Sequence, residues 1–77
     1  MRNREFWLLV DEVFGRVHGR ALAQDLVLTE LGNRTAVRAL DDGTEPRTVW
    51  HALCEAMDVP EPLRWGHDPD RQAPPRR

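Results

Sequence analysis

Apolar residues recur at helical spacing through most of residues 3 to 58. On a helical wheel Phe6, Leu9, Val10, Val13 and Phe14 fall within one arc, with Trp7 at its margin and Arg4, Glu5, Asp11 and Glu12 opposite. This pattern predicts a first helix over about residues 3–14, stopped by Gly15. Leu8 breaks the pattern, because it projects from the middle of the polar side. A second periodic stretch predicts a helix over about residues 17–31, ending at Gly32-Asn33, two residues that tolerate positive φ. Its apolar residues fall on two sides of the wheel, Leu22 with Leu26 on one and Val17, Val27, Leu28 and Leu31 on the other. A helix apolar on two sides is expected to lie centrally, packed against more than one neighbour. Gly19 inside its first turns costs about 1 kcal/mol relative to Ala, which makes Arg20 or Ala21 an alternative start.

Thr35 reads as an N-cap whose hydroxyl accepts an orphan backbone N–H, opening a short helix over about residues 36–42 that Gly43 closes. Val37 and Leu40 are its expected buried side chains. Pro46 suits a first helical turn, where no intrahelical N–H bond is lost. A fourth helix is predicted over about residues 46–57, with Val49, Trp50, Leu53, Ala56 and Met57 on one arc and Arg47, Thr48, His51 and Glu55 on the opposite stripe. Pro60 disfavours helical geometry at Val59 and ends it. Beyond Glu61 prolines alternate with charged and polar groups, which predicts a disordered tail over residues 66–77. Leu63 and Trp65, the last large apolar residues, are expected to fold back as a lid. With no strand alternation visible, the expected fold class is all-α: a compact bundle of about four helices forming one domain over residues 1–65, followed by the tail.

Composition narrows the chemistry. The 77 residues include no Lys, Ser, Tyr or Ile, and all 11 cations are Arg. Lysine Schiff bases, serine nucleophiles and phenolic acids are therefore excluded. A chain this short buries only about 60% of its unfolded surface and has little core to give up to a buried polar site. The single cysteine, Cys54, forms no intramolecular disulfide, which points to a reducing compartment. The longest apolar run, Phe6 to Val10, is too short for a signal-peptide core or a membrane span, so a cytoplasmic protein without membrane contact is expected.

Charge is unevenly divided. Residues 1–63 hold 7 Arg and 11 acidic residues, net −4, while residues 64–77 hold 4 Arg and 2 Asp, net +2. This bears on the one motif suggestive of nucleic acid, a helix-turn-helix layout over residues 35–57 with Ala39, Gly43 and Val49 at familiar relative spacings. Its second helix would offer Arg47, Thr48 and His51 to DNA, but Asp41, Asp42 and Glu45 lie where phosphates would pass. Phosphate neutralisation supplies much of duplex affinity, so the acidic body disfavours this reading. Arg71, Arg76 and Arg77 read first as part of a solubilising tail, with weak contact to nucleic acid or an acidic protein surface as the alternative.

His51 and Cys54, three apart on a helix, have the spacing of a Cys–His pair or two metal ligands. A zinc site needs two further ligands that only the distant His18 and His67 could supply, and free Cys is usually a small buried hydrophobe. No metal, cofactor or catalytic residue is expected. Asp41-Asp42 at a helix C-terminus are disfavoured by the dipole and read first as a solvated turn, with a contact for an Arg-bearing partner as the alternative.

The ordered words Glu5-Phe6-Trp7, Phe14-Gly15, Asp25-Leu26-Val27-Leu28, Leu31-Gly32-Asn33-Arg34-Thr35, Ala39-Leu40, Pro46, Val49-Trp50, Ala52-Leu53-Cys54 and Asp58-Val59-Pro60 resemble a family of short actinobacterial proteins called domain of unknown function 3046. The likeness covers about residues 1–64, with Leu8 and Leu9 where the family usually has charged or polar residues and Asn33 in place of a second glycine. The resemblance implies a small helical cytoplasmic protein, often encoded near the recombinase of DNA repair and its regulator. The expected function is therefore non-catalytic binding of another protein, as a monomer or weak homodimer. Its candidate surface combines Trp7, Leu8, Trp65 and the tail arginines 71, 76 and 77.

Overall fold

The computed structural model describes residues 1–64. Helix α1 spans Asn3–Phe14, and the Glu5 carboxylate in its first turn accepts the Arg2 N–H at 3.1 Å. Gly15, at φ 90° and ψ 151°, is the whole joint between α1 and helix α2, Arg16–Asp25. A side chain strongly disfavours those angles, so only glycine turns the chain this tightly. The two helices then pack closely where α2 presents Gly19. A Cβ built there would lie 2.7 Å from Val10 Cγ1, 2.9 Å from the Val10 carbonyl oxygen and 3.0 Å from Phe14 Cβ. The helix thus starts at Arg16 rather than at Arg20 or Ala21, and Gly19 is there for the approach of α1.

The expected second helix over residues 17–31 holds only as far as Asp25. Leu26 is already extended (φ −80°, ψ 121°), and Val27–Leu28 forms strand β1. It pairs antiparallel with strand β2, Arg34–Thr35, in the register Val27 to Thr35 and Leu28 to Arg34. Between them run a single 3₁₀ turn, Thr29–Leu31, and the left-handed residues Gly32 (φ 70°) and Asn33 (φ 63°). The all-α expectation is corrected accordingly: the described residues are mostly helical, with four α-helices and one small two-stranded sheet among them. Val27 is 54% exposed while Leu28 is 2% exposed, the alternation of a half-buried strand compressed into two residues. Val17, expected to share a buried side with them, is 85% exposed at the start of α2.

Thr35 caps helix α3, Ala36–Asp41, as its sequence predicts: Oγ1 accepts the Arg38 N–H at 3.2 Å. Its buried residues are Ala36 and Ala39, whereas Val37 and Leu40 pack only at the margin of the core. So short a helix enters the interior through its small side chains. Left-handed Gly43 ends it, with the Gly43 N–H bonded to Leu40 O at 3.1 Å and the Thr44 N–H to Ala39 O at 2.9 Å. Helix α4, Pro46–Ala56, starts on its proline. The same terminating pair recurs at its end, with the Asp58 N–H on Glu55 O at 3.2 Å and the Val59 N–H on Cys54 O at 3.0 Å. Asp58 holds the left-handed position at φ 55°, so α4 stops before Pro60 exerts its effect. Ala56 and Met57, assigned to the apolar arc by the wheel, are exposed.

Trp50 lies at the centre of the core, edge-on to Phe6 at 6.0 Å and Phe14 at 5.8 Å between ring centroids. Leu9, Val10, Leu28, Val49, Leu53 and Cys54 close around this cluster. Its indole N–H donates to the Arg64 carbonyl at 2.9 Å, which ties the chain after α4 back onto the core. A 3₁₀ turn, Glu61–Leu63, makes the reversal, and Arg64 fastens it through Val59 O at 2.8 Å and the Glu55 carboxylate at 2.8 Å. The chain folds back as expected, but Arg64 does the covering while Leu63 is 60% exposed. The expected tail at residues 66–77 and Trp65 lie outside the described residues.

Candidate interaction surface

The outer face of α1 carries the first candidate. Phe6, Leu9 and Val10 are fully buried, and Leu8 between them is left 45% exposed. One turn away on the same stripe stand Glu5 and Glu12, so Leu8 is an apolar side chain among carboxylates. Trp7 is half-buried at the edge of this face. Its ring meets Phe6 edge-on at 5.0 Å, and the Arg20 guanidinium of α2 lies 4.7 Å over its centroid. Arg20 is held there by a two-pronged pair with Asp11, Nε to Oδ1 at 3.1 Å and Nη2 to Oδ2 at 3.2 Å. The hydrogen bond from Arg20 keeps the Asp11 carboxyl below the ordinary aspartate range. Much of Trp7 is therefore engaged within the domain. Of the other residues assigned to this surface, Trp65, Arg71, Arg76 and Arg77 lie outside the described residues.

The second candidate is the unit formed by α3, the turn at Gly43 and α4. Ala39 and Val49 are fully buried and Gly43 has φ 94°, so two of these residues pack inward and the third turns the chain. Arg47, Thr48 and His51 are exposed on the outer side of α4. The acidic residues before them behave differently from their sequence reading. Asp42 accepts Arg34 Nη1 at 3.1 Å and Arg38 Nε at 3.3 Å, and these arginines hold its carboxyl below the ordinary range, Arg34 first. The Arg-bearing partner that Asp41-Asp42 suggested is, for Asp42, supplied by the domain itself. No spacing rule links Arg34 to Asp42, because the strand and the end of α3 meet only in the folded chain.

His51 and Cys54 share α4 but not an environment. His51 is exposed, whereas Cys54 is fully buried. Burial pushes the Cys54 thiol up to about 12. A thiol held protonated so far above neutrality is a poor nucleophile and metal ligand. Among the described residues no group of three or more His, Cys, Asp or Glu side chains is placed to hold a metal ion, and no helix is long and apolar enough to cross a membrane.

Over the described residues these features define a small, mostly helical domain in which the α1–α2 pair, joined at Gly15, precedes a two-stranded hairpin and the α3–α4 pair in the chain. The chain belongs to the family described as "Protein of unknown function (DUF3046)", whose model matches residues 1–62. It is 51% identical over 39 residues to a protein of Mycobacterium tuberculosis (strain ATCC 25618 / H37Rv) named "Putative envelope-preserving system protein Rv2742c". That match covers 51% of this chain and 14% of the length of the mycobacterial protein. No solved structure matches the chain.

Proposed function

We propose that the domain is a non-catalytic protein-binding module that engages its partner through the outer face of α1. The observation that carries this reading is Leu8, a large apolar side chain 45% exposed beside the half-buried Trp7 on a helix whose other face already fills the core. Exposed apolar groups next to an aromatic anchored by an arginine suit the centre of an interface. The buried, strongly protonated Cys54 favours binding over catalysis. The mycobacterial relative is consistent with a modular use, since the similar segment there occupies 14% of a much longer chain, and its name gives a system and no reaction. The gene neighbourhood implied by the family resemblance makes proteins of DNA recombination and repair the first partners to try. Leu8→Glu tests the reading: it leaves the melting temperature within about 2 °C, as surface changes do, and abolishes partner retention. A large fall in melting temperature would place Leu8 in the core and remove the basis of the proposal.

A second reading, DNA binding by α3 and α4, is favoured by the buried Ala39 and Val49 around left-handed Gly43. It assigns Arg47, Thr48 and His51 to the DNA. It requires a salt-dependent gel shift that Arg47→Ala weakens. No shift with micromolar protein at low salt ends it.

A further inference from the structure

The outer stripe of α2 is used by neither reading. It consists of His18, Ala21, Leu22 and Asp25, which with Leu26 just past the helix end line an open groove of about 290 Å³. On the helical wheel Gly19 and Ala23 face inward, while His18 and Asp25 fall within about 20° of each other on the outward side. Ala21 flanks them on one side and Leu22 on the other. Among the described residues neither the His18 nor the Asp25 side chain makes a hydrogen bond or ion pair.

We propose that this stripe binds its own copy, α2 against α2, antiparallel and across a two-fold axis. The stripe is complementary to itself in that arrangement. A two-fold passing between positions 21 and 22 sets each His18 opposite the other copy's Asp25, about 5 Å along the helix on either side of the axis. At the axis Leu22 meets its own equivalent on one flank, and the small Ala21 meets its own on the other, which lets the helices approach. A parallel pairing would instead set His18 against His18 and Asp25 against Asp25, and the repulsion of the two carboxylates, absent where each Asp25 faces an imidazole, selects the antiparallel form. A helix of 10 residues buries less than the roughly 1,200–2,000 Å² of stable complexes, so the dimer is weak and depends on concentration. This surface is separate from Leu8, and Leu8→Glu leaves self-association unchanged.

Sedimentation of the full chain between about 5 and 500 μM provides the test. The wild type is expected to shift from monomer to dimer across this range. His18→Asp or Asp25→His, each altering two symmetric contacts, weakens dimerisation at least about tenfold, and the double swap restores it to within about threefold. Ala21→Arg, at an exposed position, abolishes the dimer while the circular dichroism melt stays that of a folded helical domain. A wild type that remains monomeric at 500 μM overturns the proposal. So do single swaps that dimerise as the wild type does, or a double swap no better than the singles.

Discussion

Replacing Gly19 by Ala sets two physical effects against each other, and the packing of α1 on α2 decides which wins. Helix propensity alone makes the substitution favourable by about 1 kcal/mol at a mid-helix position. The new methyl, however, would sit 2.7 Å from Val10 Cγ1 and 2.9 Å from the Val10 carbonyl oxygen. Ordinary contact begins near 3.4 Å, so α2 must retreat by about 0.7 Å from the side chain and about 0.5 Å from the backbone. Val10 is fully buried and its carbonyl belongs to α1, so neither atom moves aside cheaply. Overpacking of this kind costs about 1–3 kcal/mol, and a retreat also thins the dispersion contacts along the seam. With Gly15 as the only joint residue, α2 cannot shift without dragging the turn, which places the cost at the upper end. The net loss is about 1–2 kcal/mol, or a melting temperature lower by about 5–15 °C for a domain of this size. Thermal and urea denaturation followed by helical circular dichroism measure it. Val10→Ala combined with Gly19→Ala should be less damaging than the two single effects added, because it removes the nearer clash. An unchanged or raised melting temperature for Gly19→Ala would refute the close approach of the two helices.

Other consequences are open to direct measurement. Cys54, buried with its thiol raised to about 12, should react with a thiol reagent in the unfolded protein and be protected in the native one; rapid native labelling would contradict its burial. Asp11 and Asp42 are held below the ordinary value of 3.8 by their arginines, so their contribution to stability is complete above that value and is lost as pH falls through the lower folded-state values. Urea midpoints should therefore be level between pH 5 and 8 as far as these groups are concerned and drop below about pH 4, with Asp11→Asn giving a lower midpoint at neutral pH and a shallower acid fall. Asp58→Gly relieves a left-handed residue at φ 55° and should stabilise by about 0.5–1 kcal/mol, seen as a melting temperature higher by a few degrees; a lower one would mean that the Asp58 side chain matters more than its backbone.

The sequence made the long amphipathic elements legible because one face of each meets the core. Phe6, Leu9 and Val10 located α1, while Pro46, Val49, Trp50 and Leu53 located α4, and Thr35 marked the start of α3. The segment 26–35 was misread because a two-residue ladder gives periodicity almost nothing to work on, and the pairing of Val27 with Thr35 is settled across a turn. Gly32-Asn33 signalled positive φ correctly, but the same angles end a helix or reverse a strand, and only tertiary packing chooses. Gly19 was readable as a cost and unreadable as a requirement, since the reason for it lies on α1. The same holds for the surface. Leu8 was visible as a break in the pattern, whereas the pairing of Arg20 with Asp11 and the stacking of Arg20 on Trp7 join residues of two helices that no local rule connects.

Binding of a protein through the face of α1 is tested most directly by paired affinity capture from a native whole-cell extract. Wild-type protein and Leu8→Glu are immobilised at equal density, with and without nuclease, after their melting curves have been shown to coincide. The expected result is a polypeptide retained by the wild type, insensitive to nuclease and lost from Leu8→Glu. Equal retention by both proteins, retention that nuclease abolishes, or no specific retention by the wild type would contradict it.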